Sequence, residues 1–432
     1  MPAGTSWGRW PRHTNRLLAL NSRFDPLPDA PLMLPFGNGR SYGDVCLNDN
    51  GTLLLTRRLD RFISFDPASG ILECEAGTLL SEIISLVLPH GWFPAVSPGT
   101  ALITVGGAIA NDVHGKNHHR HGSFGHHLLD FALQRSDGTC LRCAPDDNAE
   151  WFHATIGGLG LTGLITKARL QLRRVPGAWI EGDSRRFAHL DEFYALAAQS
   201  DSNYEYTVAW LDCAAGSKLG RGIFMRGNHS HSAAAPPRLS SPRRFPFTPP
   251  VSPVNALSVR VFNTLYFHRP AAQTPQRLWH YRPFLYPLDS ILDWNRMYGP
   301  RGFFQYQCVL PNAPARDALQ DMLNRISRSG QGSFLVVLKQ FGTLPSIGML
   351  SFPRAGVTLA LDFPNRGAPT LQLLESLDAI TRAAGGAVYP AKDARMSAES
   401  FQQYFPAWQQ FKRYIDPKFS SSFWRRVSGC TT

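Results

Sequence analysis

The chain has no long hydrophobic run. Nothing in it approaches the ~20 consecutive apolar residues of a membrane-crossing helix. The start, Met1-Pro2-Ala3-Gly4-Thr5-Ser6-Trp7, has no continuous apolar stretch of the signal-peptide kind. The expectation is therefore neither a membrane-spanning nor a classically secreted protein, but one in the cytoplasm or at the inner face of the cytoplasmic membrane. Cysteine is sparse, 7 in 432 residues, and an odd number leaves at least one unpaired. The lone Cys140-x-x-Cys143 pair follows the turn signal Ser136-Asp137-Gly138 without a second pair to complete a zinc site, so reduced structural cysteines are expected. Long blocks of like charge are missing too. The excess of 44 Lys+Arg over 32 Asp+Glu, +12, is spread along the chain, and no basic stripe is interleaved with aromatics. A nucleic-acid binder is disfavoured, leaving a solvated surface or an anionic small ligand.

What is present is a strand-rich first third and an α+β remainder. Gly51–Thr56, Phe62–Phe65 and Ile71–Glu75 read as short strands bounded by Gly, Asp and Pro, and Thr78 opens an amphipathic helix that closes at Pro89 and Gly91. Between Asn228 and Leu257 periodicity fails and Pro and Ser accumulate, which reads as a mobile insertion or lid. From Gly302 to Pro390 the order is strand (Phe303–Leu310), helix (Pro314–Ser329), strand (Ser333–Phe341), strand (Val357–Phe363), helix (Leu371–Ala384), strand (Ala387–Tyr389). This is a split-βαβ pattern. Ser397 N-caps a final helical stretch ending near Asp416-Pro417, and no internal repeat is visible in the residues. The expected architecture is two α+β lobes.

Glycine patterning points to a ligand. Gly158-x-Gly160-x-x-Gly163 fits the dinucleotide fingerprint literally, but Leu164 to Arg173 alternates with a period of two, so a strand follows where that fingerprint needs a helix. These glycines are expected to shape a turn near a ligand. Pro35-Phe36-Gly37-Asn38-Gly39-Arg40-Ser41-Tyr42-Gly43-Asp44 is stronger, because its backbone N–H groups can converge on phosphate oxygens while Arg40 adds charge. A second glycine-rich stretch runs from Ser97-Pro98-Gly99 through Thr104-Val105-Gly106-Gly107 to Asn111-Asp112-Val113-His114-Gly115-Lys116, which suggests a large flat cofactor approached from two sides. The histidines from His118 to His127 match no metal-ligand spacing, and no metal is expected.

Together, Gly37–Asp44, Thr104–Ala108, His114–His119 and Gly122–Gly125 resemble the vanillyl-alcohol-oxidase-type flavoenzymes, whose FAD domain is of the PCMH type. The likeness continues through Trp294-Asn295-Arg296, Gln305-Tyr306-Gln307, Lys339, Asp362-Phe363-Pro364 and Lys392-Asp393. The resemblance implies an FAD-binding domain over 1–176, a substrate or cap domain over 177–385 and a C-terminal segment, 386–432, that completes the FAD domain. It implies FAD held by Pro35 to Val45, Gly99, Thr104 to Gly107, Asn111 to His114, Ile165 and Tyr389. Some relatives tether flavin through a His in the first glycine loop; Arg40 stands there, so non-covalent FAD is expected. Close relatives carry Cys where Ala360 stands and an aromatic where Leu285 stands, and both positions are expected in the pocket.

Oxidising a sugar hydroxyl removes a proton from O–H and a hydride from the adjacent C–H, and a fixed cation steadies the negative charge that develops. Lys392 is the first candidate for that cation and Lys339 the second, on a strand with apolar neighbours. Tyr42 is expected near the flavin, His114 is the candidate base, and Lys116, Gln305 and Gln307 are expected at the substrate. The resulting expectation is FAD-dependent oxidation of a secondary hydroxyl on a polyprenylphosphoryl ribose, with an NAD(P)-dependent keto-sugar reductase as partner and peripheral membrane association. The competing reading is a soluble aldose, alditol or aldonolactone oxidase using O₂.

Overall fold

The computed structural model describes residues 3–216, 219–232 and 241–429. The N-terminal third builds two small sheets. Arg16–Ala19, Thr52–Leu55 and Met33–Phe36 lie parallel, with Thr52–Leu55 in the middle. Phe62–Asp66, Ile71–Glu75, Leu164–Gln171, Leu128–Gln134 and Cys140–Cys143 form an antiparallel sheet in that order. The alternation in Leu164–Gln171 thus gives a central strand, with Leu164, Ala168 and Leu170 buried. Leu80–Val87 is the expected amphipathic helix, with Leu80, Ile83, Ile84 and Val87 in the core.

The remainder is dominated by one eight-stranded sheet: Thr274–His280, Trp179–Phe187, Gly222–His229, Tyr206–Leu211, Val336–Phe341, Gly356–Pro364, Phe303–Leu310, Ala387–Val388, every neighbour antiparallel. The last four are the strands of the split-βαβ pattern, in the spatial order 2-3-1-4. The first four repeat that arrangement. Trp179–Phe187, the helix Leu190–Ser200, Tyr206–Leu211, Gly222–His229, the helix Ala256–His268 and Thr274–His280 follow the same β-α-β-β-α-β course and stack in mirrored order. The two halves join edge to edge where Ala209 and Trp210 pair with Leu338 and Val337. Contrary to the reading of the sequence, the fold contains a repeat, and it is one of topology.

Other boundaries shift as well. Asn228 and His229 close a strand and Ala256 and Leu257 open a helix, so the Pro/Ser-rich 228–257 stretch is shorter than its composition implied, and its residues 233–240 lie outside the described residues. Ala387–Val388 belongs to the large sheet, so the returning C-terminal segment starts after it and not at residue 386. The stretch opened at Ser397 is not the last helix. Beyond Pro417, Ser422–Ser428 forms another, capped where Ser421 Oγ accepts from Trp424 N at 3.0 Å.

That last helix fixes the first glycine loop. Arg426 donates to both Asp44 oxygens, at 3.0 and 2.7 Å, and to Asp393 Oδ2 at 3.0 Å. Met33 N also donates to Lys418 O, which docks the C-terminal segment on the parallel sheet. Removing one partner of a buried ionic cluster leaves the others desolvated and uncompensated. Arg426→Ala should therefore lower stability by about 3 kcal/mol or more in chemical denaturation, and Arg426→Lys should recover only part of it.

Candidate active site

A single cavity lies between the two glycine stretches and one face of the large sheet. The sheet's two-residue period decides what faces it: Val208 from one strand, Val337 and Lys339 from another with Leu335 just before it, Thr358 and Ala360 from the third, Gln305 and Gln307 from the fourth. Register places Gln307 opposite Ala360 and Lys339 opposite Thr358, so these side chains form one continuous wall. The opposite wall is backbone-rich, made by Gly37 to Tyr42, Gly99, Thr104, Gly106 and Gly107. A Cβ on Gly37 would sit 2.4 Å from Thr104 Oγ1, so the two stretches meet at a distance only glycine permits.

Of the residues expected to hold FAD, Pro35, Gly37, Asn38, Gly39, Arg40, Ser41, Tyr42, Val45, Gly99, Thr104, Gly106, Gly107, Asn111, Val113, His114, Ile165 and Tyr389 line this cavity. Phe36, Gly43, Asp44, Val105 and Asp112 do not, and each has another task. Phe36 and Val105 are core side chains, and Gly43 packs so tightly that an added Cβ would fall 1.6 Å from Asp393 O. Asp44 holds Arg426. Asp112 is buried and accepts from Ser123 Oγ, Gly125 N and Ser351 Oγ, at 2.9, 2.9 and 2.6 Å, which pins the turn before His114. Gly160 and Gly163 of the misleading fingerprint do reach the cavity, as turn residues ahead of a strand.

The expected substrate residues Lys116, Gln305, Gln307, Lys339 and Lys392 all line the same space, as do Leu285 and Ala360. Burial lowers the lysine pKa values, to about 7 for Lys116 and Lys339 and about 8 for Lys392; Lys339 further depresses Lys116, Lys392 depresses Lys339, and Asp362 partly supports Lys392. Lys116 Nζ donates to the carbonyls of Phe284 and Leu285, Lys339 Nζ to Gly115 O at 3.4 Å, and Lys392 Nζ lies 4.1 Å from the Tyr42 ring centroid. Tyr42 is held protonated by burial.

His114, the expected base, lies with its Nε2 2.8 Å from the Gln307 amide, which also donates to Thr358 Oγ1 at 3.2 Å, and His114 Nδ1 is buried with no partner among the described residues. Burial and the nearby lysines hold its pKa well below the usual histidine range. Burial thus keeps the ring neutral, the protonation state from which a base accepts a proton.

Sequence reasoning missed Trp7, Asp289 and Trp294 at this site. Arg40 lies 4.1 Å over the Trp7 ring, and Asp289 is fixed by Ala101 N at 2.8 Å. The Trp294-Asn295-Arg296 motif was a signal for Trp294; nothing in the first ten residues marked Trp7.

The site fits FAD on its own terms. Glycines leave one wall open to close approach, and two lining residues, Arg40 and Asn111, keep buried polar atoms, Nε and Oδ1, that have no partner among the described residues. The FAD-binding domain family matches residues 31–144. The chain is 35% identical to decaprenylphosphoryl-beta-D-ribose oxidase of Mycolicibacterium smegmatis, over 90% of this chain and 88% of that one. It is 34% identical to an uncharacterized protein of Streptomyces coelicolor, over 81% of this chain and 99% of that one. With L-gulonolactone oxidase of Mus musculus it shares 29% identity, over 31% of this chain and 30% of that one. Fold, site and similarity define an FAD-dependent oxidoreductase. More particularly, the chain belongs to the decaprenylphosphoryl-beta-D-ribose oxidase family.

The lysine cluster has a measurable consequence. An unfolded lysine titrates near 10.4, so between about pH 7 and 10 the unfolded chain binds more protons than the folded one, and folded stability rises with pH. Each lysine adds up to about 1.4 kcal/mol per pH unit in that window. Urea unfolding of protein stripped of bound anions should show this rise, and Lys339→Met should flatten it.

Proposed function

We propose that this protein oxidises a secondary hydroxyl of a polyprenylphosphoryl ribose to a ketone, the ribose 2′-hydroxyl as the oxidative half of an epimerisation to arabinose. The observation that carries the proposal is the charge of the cavity. Lys116, Lys339 and Lys392 converge on it, and Asp289 is the only acidic residue among its lining. Such a wall suits a phosphorylated, hydroxyl-rich ligand, and Val208, Leu285, Leu335 and Val337 offer an apolar surface to the adjoining isoprenoid.

In this reading Pro35, Gly37 to Tyr42, Val45, Gly99, Thr104, Gly106, Gly107, Asn111, Val113, Ile165 and Tyr389 would hold FAD, non-covalently, since Arg40 occupies the position where a tethering histidine would stand. When bound, FAD supplies the acceptor for the two electrons that leave the substrate C–H bond. Lys392 Nζ holds a positive charge beside the reacting oxygen and steadies the charge that appears there as the hydroxyl proton departs. His114, neutral and oriented by Gln307, would accept that proton. Asp362 Oδ1 accepts from Gln305 Nε2 at 2.6 Å, which fixes the Gln305 amide for the sugar. A keto product would then pass to an NAD(P)-dependent reductase.

Acid precipitation should release the flavin to the supernatant; flavin retained in the pellet would contradict the role given to Arg40. Anaerobic bleaching by polyprenylphosphoryl ribose, and not by free alditols or aldonolactones, is the expected result, and the reverse would favour the soluble-oxidase reading. Lys392→Ala should retain flavin and lose about 10²–10³-fold in turnover, the usual cost of removing a preorganised charge-stabilising group.

A further inference from the structure

The helix Ala256–His268 presents its apolar residues in the wrong direction for a soluble protein. Its inner side is anchored by Val259, buried beside Val254 and Phe303, and by Asn263, whose Nδ2 donates to Asp212 Oδ1 at 2.9 Å and Ser333 O at 3.3 Å. Leu257, Val261 and Leu265, four residues apart and so on one stripe, are 72%, 50% and 68% exposed. The loop leading into the helix adds Val251 at 79% and Phe247 at 62%. Single exposed apolar residues are ordinary, but a contiguous group marks an interaction surface.

Charge selects the partner. No Asp or Glu occurs anywhere from residue 213 to 288, while Arg243 and Arg260 are exposed and have no carboxylate partner among the described residues. Arg9, bonded to Thr248 Oγ1 and Gly299 O, adds positive charge next to this loop with Arg12 and with Arg296, the last 3.5 Å from Asp293. A second copy of the chain docked symmetrically would set this cationic face against itself. An apolar stripe rimmed by arginine matches an anionic bilayer surface, into which amphipathic helices lie flat.

The surface is also close to the cavity. Val254 and Val259 share a cluster with Trp7, Tyr42 and Trp294, and those three line the cavity wall. The packing beneath the helix thus continues into the cavity wall. We propose that the helix Ala256–His268, with Phe247 and Val251, docks the protein on an anionic lipid membrane. Its purpose, collecting a lipid-tailed substrate, rests on the function proposed above, but the docking itself is measured without it.

The test is co-sedimentation of the full FAD-loaded chain with vesicles of phosphatidylcholine containing about one third phosphatidylglycerol, against phosphatidylcholine alone. The wild type should bind the anionic vesicles preferentially, and Leu257→Ser/Val261→Ser/Leu265→Ser should bind at least about tenfold more weakly. Flavin content, and turnover of a short-chain phosphoryl ribose where there is any, should be unchanged. Arg243→Gln/Arg260→Gln should lose the preference for phosphatidylglycerol. Equal vesicle binding by the triple variant and the wild type would overturn the proposal. So would a wild-type dimer that ignores vesicles and dissociates in the triple variant. If docking behaves as stated while no phosphoryl ribose reduces the flavin, the docking surface stands and the substrate reading falls.

Discussion

One ionic cluster couples the parts of this protein that make a site. Arg426, on the last helix, binds Asp44 at the end of the first glycine loop and Asp393 beside Lys392. Around it, Tyr42 N donates to Ala391 O at 2.9 Å, and Gly43 lies against the Asp393 carbonyl with no room for a side chain. The loop that would cradle FAD and the turn that carries Lys392 are therefore one rigid unit, although some 350 residues separate them in sequence. Isolated, such an ion cluster is a costly way to stabilise a fold. Here it fixes register: Arg426 can satisfy both carboxylates only when glycine loop, Lys392 turn and final helix are all in place.

The parts of the site that could be read in the sequence were those with local periodicity or local backbone demands. The glycine loop announces itself because close backbone approach excludes side chains, and the alternation of Gln305 with Tyr306 and Gln307 follows from the strand's pleat. Ruling out a Rossmann reading at Gly158–Gly163 likewise needed only the period of the residues that follow. The two-residue period put Gln305 and Gln307 on one face of their strand, and strand pairing then brought Lys339 beside them.

What could not be read depends on pairs far apart in the chain. The duplicated β-α-β-β-α-β course is invisible because its two halves share topology without sharing residues; packing preserves the order of strands and not their identity. The last helix is short, and its role rests on Arg426 meeting two carboxylates from other segments. His114 shows the same limit at the level of chemistry. As a residue type it suggests a base, but only the fold brings Gln307, 193 positions away, to its Nε2 and buries the ring so that it stays neutral. Trp7 and Asp289 reach the cavity for reasons that lie wholly in tertiary packing.

The electrostatics of the cavity tie these elements to function. Enclosing Lys116, Lys339 and Lys392 around one space is unfavourable, and burial answers by pushing their protons off toward neutral pH. An anion entering that space reverses the balance, because the charged form of each lysine then gains a partner. For the phosphorylated ligand proposed above, binding would thereby be coupled to proton uptake, and the cation proposed at Lys392 would be strongest with the ligand present. On that reading the arrangement would discriminate against neutral sugars: a polyol would offer hydroxyls to Gln305 and Gln307 but give the lysines no anion to pair with. On the proposed function, selectivity for the phosphoryl group would lie in the cost of the unliganded state, and the sheet wall would then decide which hydroxyl is presented for oxidation.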